Sequence, residues 1–142
     1  MRVAFHKGNG PRSCTGDATL AKRRRVPGSV MGVGNDIPHD LAQYIVEAAT
    51  RYEYGFWGCV ARGATFKSTG RKRTHPGRAV IAEHRNDIIA SEHLAGGHML
   101  LWKCGEKTDV TRALDRALRQ WRNLGPAQQL VYEWPSTVGS IE

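Results

Sequence analysis

The chain has 142 residues, a net charge of +8 and a hydrophobic content of 40%. A chain of this length is typical of one domain whose core needs no disulfide or metal. Mean hydropathy is -0.48, and no apolar run approaches the roughly 20 residues that cross a bilayer, which excludes a membrane-spanning helix. The first ten residues, MRVAFHKGNG, lack an apolar signal segment, so we expect a cytoplasmic protein.

The first elements predicted are strands. Residues 2–6, RVAFH, alternate polar and apolar side chains and predict a half-buried strand, followed by a loop over residues 7–16. A second strand is predicted over residues 18–26, where positive charge on both faces favours an exposed sheet edge or a hairpin arm. The glycine-rich connection 27–34 matches no phosphate-binding motif and predicts a plain linker.

A long amphipathic helix is predicted over residues 36–54. Asn35 or Asp36 is expected to cap it, and Pro38 fits its first turn, where the missing N–H costs nothing. One face of this helix is apolar and contains Ile37, Leu41, Tyr44, Ile45, Ala48 and Tyr52. The other face is polar and contains His39, Asp40, Gln43, Glu47, Thr50, Arg51 and Tyr54. Gly55 is predicted to end the helix, and the aromatic pair after it is predicted to plug the core within a segment 35–58.

The polar face of this helix supplies candidates for chemistry. His39, Asp40, Glu47 and His84 are candidate catalytic residues, and His39, Glu47 and His84 are weaker candidate metal ligands. On a straight helix His39 and Glu47 lie about 12 Å apart, so a metal would need a histidine from elsewhere in the chain. The structural alternative pairs Glu47 with Arg51 on a solvated face. Because no metal or cofactor motif is present, we expect no cofactor.

Positive charge is concentrated in two segments. Residues 1–34 contain seven Lys or Arg and one Asp, and residues 67–78, a loop by composition, contain five and no acidic residue. The candidate contacts are Lys22, Arg23, Arg24, Arg25, Lys67, Arg71, Lys72, Arg73 and Arg78. They predict binding to an acidic partner such as the backbone of DNA or RNA, because clustered cations attract phosphates. Neither segment interleaves aromatics, so base stacking is not indicated, and solvated loop charge is the structural alternative.

The second half of the chain predicts two helices and a strand. A helix from Arg78 to His93, with His84 on its apolar face, is expected to end at Gly96-Gly97, before a short apolar element 98–104. Thr108 is predicted to cap the last helix. Its apolar stripe contains Val110, Ala113, Leu114, Ala117, Leu118, Trp121 and Leu124. On its other face, an Asp115–Arg119 pair predicts mostly solvated charge. Residues 129–134 alternate and predict a terminal strand.

The cysteines at positions 14, 59 and 104 are widely spaced and match neither a disulfide framework nor a zinc motif. We expect free thiols, with Cys59 and Cys104 packed as small hydrophobic side chains. The elements together predict a single α+β domain, 1–142, with a helical part at 78–125. A small antiparallel sheet from the N-terminal hairpin and the C-terminal strand is expected to pack with three main helices.

The order Pro38-His39-Asp40-Leu41, Val46-Glu47 and Gly55-Phe56-Trp57-Gly58, with Ala61 to Ala64 after it, carries a resemblance. It resembles an uncharacterised family of short bacterial proteins in which a basic N-terminal hairpin precedes a helix that opens Pro-His-Asp-Leu. The resemblance covers about the first half of the chain and implies no activity. The family commonly has a second histidine four residues after the first, where this chain has Gln43.

Two hypotheses of function follow from the sequence. The first is a small binding or accessory protein that meets an acidic partner through residues 22–25 and 67–78. The second is a metal-dependent or acid/base enzyme built on the polar face of helix 36–54. The sequence favours the first, because it contains two dense basic segments and no catalytic motif.

Overall fold

The centre of the sheet is the first strand, β1 (Arg2–Lys7), which confirms the prediction for residues 2–6. The structure is a computed structural model, and it describes residues 1–7, 14–19, 25–27, 37–66 and 74–142. The side chains of Val3 and Phe5 are fully buried on one face of β1, as alternation requires. Along the sheet, Val3 lies opposite Tyr132 and Phe5 opposite Leu130.

In the part of the chain that the structure describes, five antiparallel strands form this sheet in the order β3-β2-β1-β4-β5. The other strands are β2 (Cys14–Thr19), β3 (Arg25–Pro27), β4 (Gln129–Glu133) and β5 (Gly139–Ile141). The single strand predicted over residues 18–26 is wrong, because residues 14–19 and 25–27 form two separate strands. β3 is an edge strand, as charge on both faces predicted, and the terminal strand is confirmed by β4. β5 was not predicted.

Five helices within the described residues complete a single α+β domain. They are α1 (His39–Ala49), α2 (Phe56–Ala61), α3 (His75–Glu83), α4 (Arg85–Lys103) and α5 (Asp109–Arg122). The long ones, α1, α4 and α5, pack against one another, which confirms the expected three main helices. Within the described ranges, no helix combines the length and apolar character that crossing a bilayer requires.

Aromatic rings join α1 to the sheet. Tyr44 lies at the centre of this cluster, with ring centroids 5.9 Å from Phe5, 5.7 Å from Trp57 and 5.0 Å from Tyr132. The pairs with Phe5 and Trp57 are edge-to-face, an arrangement that stabilises a core beyond the area it buries. The cluster fixes α1 on the sheet. It therefore also sets the positions of the polar residues near the two ends of α1.

The first helix is shorter than predicted. It ends at Ala49, so its predicted end at Gly55 is wrong. Phe56 and Trp57 begin a second helix after a turn, and the predicted aromatic plug is confirmed, because Trp57 is buried in the main core and Phe56 packs against it. Pro38 is the N-cap residue, with no side-chain cap, while Asn35 and Asp36 lie outside the described residues, as does 28–34 of the linker.

The helices after residue 74 also differ from the predictions. The last part of the predicted loop 67–78 is helical, since Thr74 caps α3 by accepting a hydrogen bond from the backbone N–H of Gly77. The helix predicted from Arg78 to His93 is divided at His84. α4 then continues through Gly96-Gly97 to Lys103, because packing of residues such as Ala95 and Trp102 outweighs the glycines' low helix propensity.

The last helix agrees with its prediction. Thr108 caps α5 in a capping box with Thr111, and the apolar stripe is buried except for the half-buried Leu118. Of the two cysteines expected inside, Cys59 is fully buried, which confirms the prediction. Cys104 is exposed because it lies just beyond the end of α4, so its predicted burial is wrong.

Candidate functional site

Glu47 is fully buried, and its predicted place on a solvated helix face with Arg51 is wrong. Its carboxylate accepts hydrogen bonds from the backbone N–H groups of Phe56, at 2.8 Å, and Trp57, at 2.9 Å. The side-chain amide of Gln43 donates a third, at 3.1 Å. Glu47 therefore satisfies the first free N–H groups of α2 from within the last turn of α1.

Two glycines allow α2 to lie close to α1 and to the turn that joins them. A β-carbon on Gly55 would lie 2.5 Å from the carboxyl group of Glu47, and one on Gly58 would lie 1.9 Å from the carbonyl oxygen of Glu53. The indole N–H of Trp57 closes the unit by donating to the carbonyl oxygen of Asp40 at 3.0 Å. These contacts give most of the Pro-His-Asp-Leu, Glu and Gly-Phe-Trp-Gly pattern a structural role.

Burial changes the titration of Glu47. Desolvation raises the pKa of its carboxyl group to about 7, although the hydrogen bonds from Trp57, Gln43 and Phe56 act to lower that pKa. A pKa near neutrality suits proton transfer, but the side chain has no exposed surface. Its oxygens already accept three hydrogen bonds, so the carboxylate is placed to hold α2 rather than to meet a substrate.

His39 and Asp40 lie at the opposite end of α1. The side chain of His39 is 58% exposed, with Nδ1 3.4 Å from Oδ1 of Asp40. This hydrogen bond raises the pKa of His39 above its usual range. The side-chain amide of Gln43 donates hydrogen bonds to carboxylate oxygens of both Glu47, at 3.1 Å, and Glu92, at 3.2 Å. The polar face is thus divided between an exposed His–Asp pair and a buried amide–carboxylate pair.

His84 lies at the junction of α3 and α4, not within an apolar helix face. Its ring stacks on Tyr54 with centroids 4.3 Å apart, and Nδ1 lies 3.4 Å from Oδ2 of Asp87. Among the residues that the structure describes, no three His, Cys, Asp or Glu side chains are grouped so as to hold a metal ion. The candidate metal ligands His39, Glu47 and His84 are therefore not brought together in the described part of the chain.

The basic residues singled out in the sequence are only partly described. Arg25 begins the edge strand β3, and Arg78 is exposed on α3. Lys22, Arg23, Arg24, Lys67, Arg71, Lys72 and Arg73 lie outside the described residues. The predicted contact with an acidic partner through these residues stays a prediction.

A third concentration of positive charge lies on α5. We call Arg112, Arg116, Arg119 and Arg122, all exposed, the arginine face. The first three fall within about 60° of one another around the helix at 3.6 residues per turn. Asp115 does not pair with Arg119 as predicted, because it accepts from the indole N–H of Trp102 at 2.8 Å and lies 3.7 Å from Lys107.

The arginine face borders a cleft of about 420 Å³ between α5 and β5. The helix side is lined by Arg116, Arg119, Gln120 and Asn123, and the other side by Thr137, Val138, Gly139 and Ile141. The amide of Gln120 donates to the carbonyl oxygen of Gly139 at 2.9 Å and so fixes the two walls. The spacing of the arginines was visible in the sequence, but the expected pair with Asp115 concealed it.

Comparisons with known proteins add no relative to this description. No protein-family model matches the chain, and neither does any curated protein or solved structure. Function has therefore to be inferred from the chemistry of the side chains themselves.

Proposed function

We propose that the protein binds an acidic partner, the phosphate backbone of DNA or RNA, through the arginine face of α5 together with the basic segments 22–25 and 67–78. One observation carries the proposal. Arg116 and Arg119 are exposed neighbours on one helix face, and neither forms an ion pair with a described residue. Arg112, by contrast, lies 3.3 Å from Asp109.

The geometry of the arginine face suits a phosphate backbone. Arg112 and Arg119 are seven residues apart, about 10 Å along the helix axis at 1.5 Å per residue. Guanidinium groups bind phosphate oxygens in a bidentate manner and displace the counterions condensed on a nucleic acid. The exposed side of the helix presents no aromatic side chain at positions 112–123, so the contact is to the backbone and not to stacked bases.

The helix that carries these arginines is firmly held. Its opposite face is buried through residues such as Leu114 and Trp121, and its first turn has the capping box described above. Exposed charges on a helix so anchored contribute little to folding. Substitution of the arginines is therefore expected to alter binding without altering the fold.

The alternative hypothesis, a metal-dependent or acid/base enzyme on the polar face of α1, receives less support. Glu47 is inaccessible and engaged by Phe56, Trp57 and Gln43. His39 lies beside Asp40 and near enough to the exposed Glu92 for that carboxylate to raise its pKa, but the buried Glu47 lies at the opposite end of α1 and cannot join them.

The test is a salt titration of binding to a fluorescent 20-base-pair duplex and to a single strand of equal length. The wild type is expected to bind with little sequence preference and to weaken steeply with salt. Arg116→Ala/Arg119→Ala should flatten the log–log salt slope by about 2, at about 0.9 per phosphate contact. Circular dichroism should show an unchanged fold.

The matched control removes two positive charges elsewhere. Arg85 and Lys103 are exposed at the two ends of α4, so Arg85→Ala/Lys103→Ala changes net charge equally without touching α5. Its salt slope should stay within about 0.3 of the wild type. Failure of the wild type to bind either nucleic acid at low salt, or equal losses in both double variants, would refute the proposal.

A further inference from the structure

A second concavity, of about 580 Å³, lies between the turn that follows α1 and the turn that joins β4 to β5. Its lining includes Ala48, Arg51, Tyr52, Arg62, Trp134 and Ser136. The volume is within the range of about 300–1,000 Å³ that small-molecule sites occupy. The same β4–β5 turn separates it from the cleft on α5, since residues 134–136 line this concavity and residues 137–139 line the cleft.

Arg51 adopts a backbone conformation that its side chain disfavours. Its φ angle is 55°, the only positive φ of a non-glycine residue in the described ranges. The backbone N–H of Tyr52 donates to the carbonyl oxygen of Glu47, and that of Arg51 to Ala48. This pattern is a Schellman motif, whose left-handed position is usually glycine. Glycine would fit this backbone conformation better than arginine, so the stability of the fold does not account for the arginine side chain at the pocket wall.

The two arginines of the pocket differ in what they contact. Arg62 is held by the carbonyl oxygens of Glu53, at 2.8 Å, and Gly58, at 3.1 Å, and its guanidinium lies 4.4 Å from the ring centroid of Tyr54. The guanidinium of Arg51 has no hydrogen bond or ion pair within the part of the chain that the structure describes. Arg51 is thus the cation with open donors.

The aromatic wall of the pocket is prearranged. The ring of Trp134 packs edge-to-face on Tyr44, with centroids 5.4 Å apart. The hydroxyl of Tyr44 donates to the carbonyl oxygen of Ser136 at 3.1 Å, which fixes the turn against α1. A ligand ring placed against Trp134 would therefore meet a surface that needs no reordering on binding.

The geometry points to a binding site for a small aromatic carboxylate, with its ring against Trp134 and its carboxylate on Arg51. A planar guanidinium fork matches a carboxylate in a bidentate manner. Glu53 also lines the pocket, 3.7 Å from Arg62, so the charged side chains of the lining sum to a single positive charge. That balance favours a monoanion over a phosphate dianion.

The probe is 1-naphthoate, titrated into the full-length protein and followed by the indole N–H signals of its four tryptophans. The Trp134 signal, assigned with Trp134→Phe, should shift and saturate, whereas that of the buried Trp121 should not move. Naphthalenemethanol, which lacks the charge, and cyclohexanecarboxylate, which lacks the flat ring, should bind at least tenfold more weakly. Phenyl phosphate binding as tightly as 1-naphthoate would overturn the assignment to a carboxylate.

The decisive variant is Arg51→Gly. Glycine suits the left-handed position, so the melting temperature should rise by about 2–4 °C, while affinity for 1-naphthoate should fall at least tenfold. Arg85→Ala, an exposed arginine on α4, is the control and should leave affinity unchanged. Undiminished affinity in Arg51→Gly, or no shift of the Trp134 signal in the wild type at millimolar ligand, would overturn the proposal.

Discussion

The carboxyl group of Glu47 lies in the space that a β-carbon of residue 55 would need. A Cβ built on Gly55 falls 2.5 Å from Cδ of Glu47, closer than atoms approach without displacement. Gly55 is the N-cap residue of α2, and its lack of a side chain lets the carboxylate reach the N–H groups of Phe56 and Trp57. The two residues act as one device that turns the chain from α1 into α2.

The first prediction is that Gly55→Ala destabilises the protein through Glu47. The added methyl group forces the carboxylate from its donors, and overpacking of this kind costs typically about 1–3 kcal/mol. In a Glu47→Ala background the space is empty, so the same substitution should cost much less. Urea unfolding of the wild type, both single variants and the double variant would give a coupling free energy above about 1 kcal/mol.

Gly96→Ala is the control for added methyl groups. A Cβ at Gly96 meets no atom within 4 Å, and the residue lies inside α4, so the substitution should stabilise by about 0.5–1 kcal/mol. If the changes in unfolding free energy caused by Gly55→Ala and Glu47→Ala simply add in the double variant, the two residues do not compete for one space.

The second prediction concerns pH. Burial raises the pKa of Glu47 from 4.5 to about 7, so between these values the folded state holds a proton that the unfolded state has lost. The contribution of this pKa shift to the free energy of unfolding is fully present below pH 4.5 and is lost as pH rises through 7. At about 1.4 kcal/mol per pKa unit, the protein loses on the order of 3 kcal/mol of stability over this range.

Glu47→Gln is the variant that checks the pH dependence. It removes the titrating group, so the fall in unfolding free energy between pH 5 and pH 8 should be smaller by that amount. The variant should be less stable than the wild type at pH 5, because its amide N–H₂ meets backbone donors. An identical pH profile in the two proteins would contradict the assigned pKa.

The elements that sequence predicted best are those whose side chains follow one period throughout. β1 alternates with Val3 and Phe5 inward, and α5 keeps one apolar stripe from Val110 to Leu124, so pattern and burial agree. α4 was mispredicted at Gly96, because the glycines signalled an end that packing overrides. Local propensity is a weak guide where tertiary contacts hold a helix together.

The site was harder to predict because it depends on contacts between distant residues. Glu47 and Arg51 have the spacing of a surface ion pair, and only the fold shows that Glu47 instead binds residues nine and ten positions later. Similarly, Asp115 has the spacing to neutralise Arg119, but its carboxylate is taken by Trp102. A periodic pattern identifies which residues share a face and not which partner each one meets.

The third prediction separates His39 from Glu47. On the solvated helix face predicted from the sequence, both alanine substitutions would be nearly neutral, whereas the burial of Glu47 changes the expectation for that residue. Glu47→Ala leaves the N–H groups of Phe56 and Trp57 without acceptors and should cost on the order of 3 kcal/mol near pH 5. His39 is exposed, so His39→Ala should stay within about 0.5 kcal/mol.

Thermal melts of both variants with and without Zn²⁺ or Mn²⁺ extend this comparison to the enzyme alternative. A metal that binds only the folded state raises the melting temperature. If neither metal shifts the melting temperature of the wild type, the metal-dependent form of the enzyme alternative is refuted. A metal-dependent rise that both substitutions abolish would favour the enzyme alternative over the proposed binding function.

The last prediction concerns the attachment of α5, on which the arginine face depends. Trp121 is 3% exposed and belongs to the main core. The ammonium group of Lys7 lies over its ring, 5.6 Å from the ring centroid. Trp121→Ala should cost about 3–5 kcal/mol, since removing a buried indole loses its transfer free energy and leaves a cavity. Leu118, half-buried on the same helix, is the control, and Leu118→Ala should cost clearly less. Urea unfolding at pH 7 measures both, and a cost below about 1 kcal/mol for Trp121→Ala would mean that α5 is held by something other than its apolar stripe.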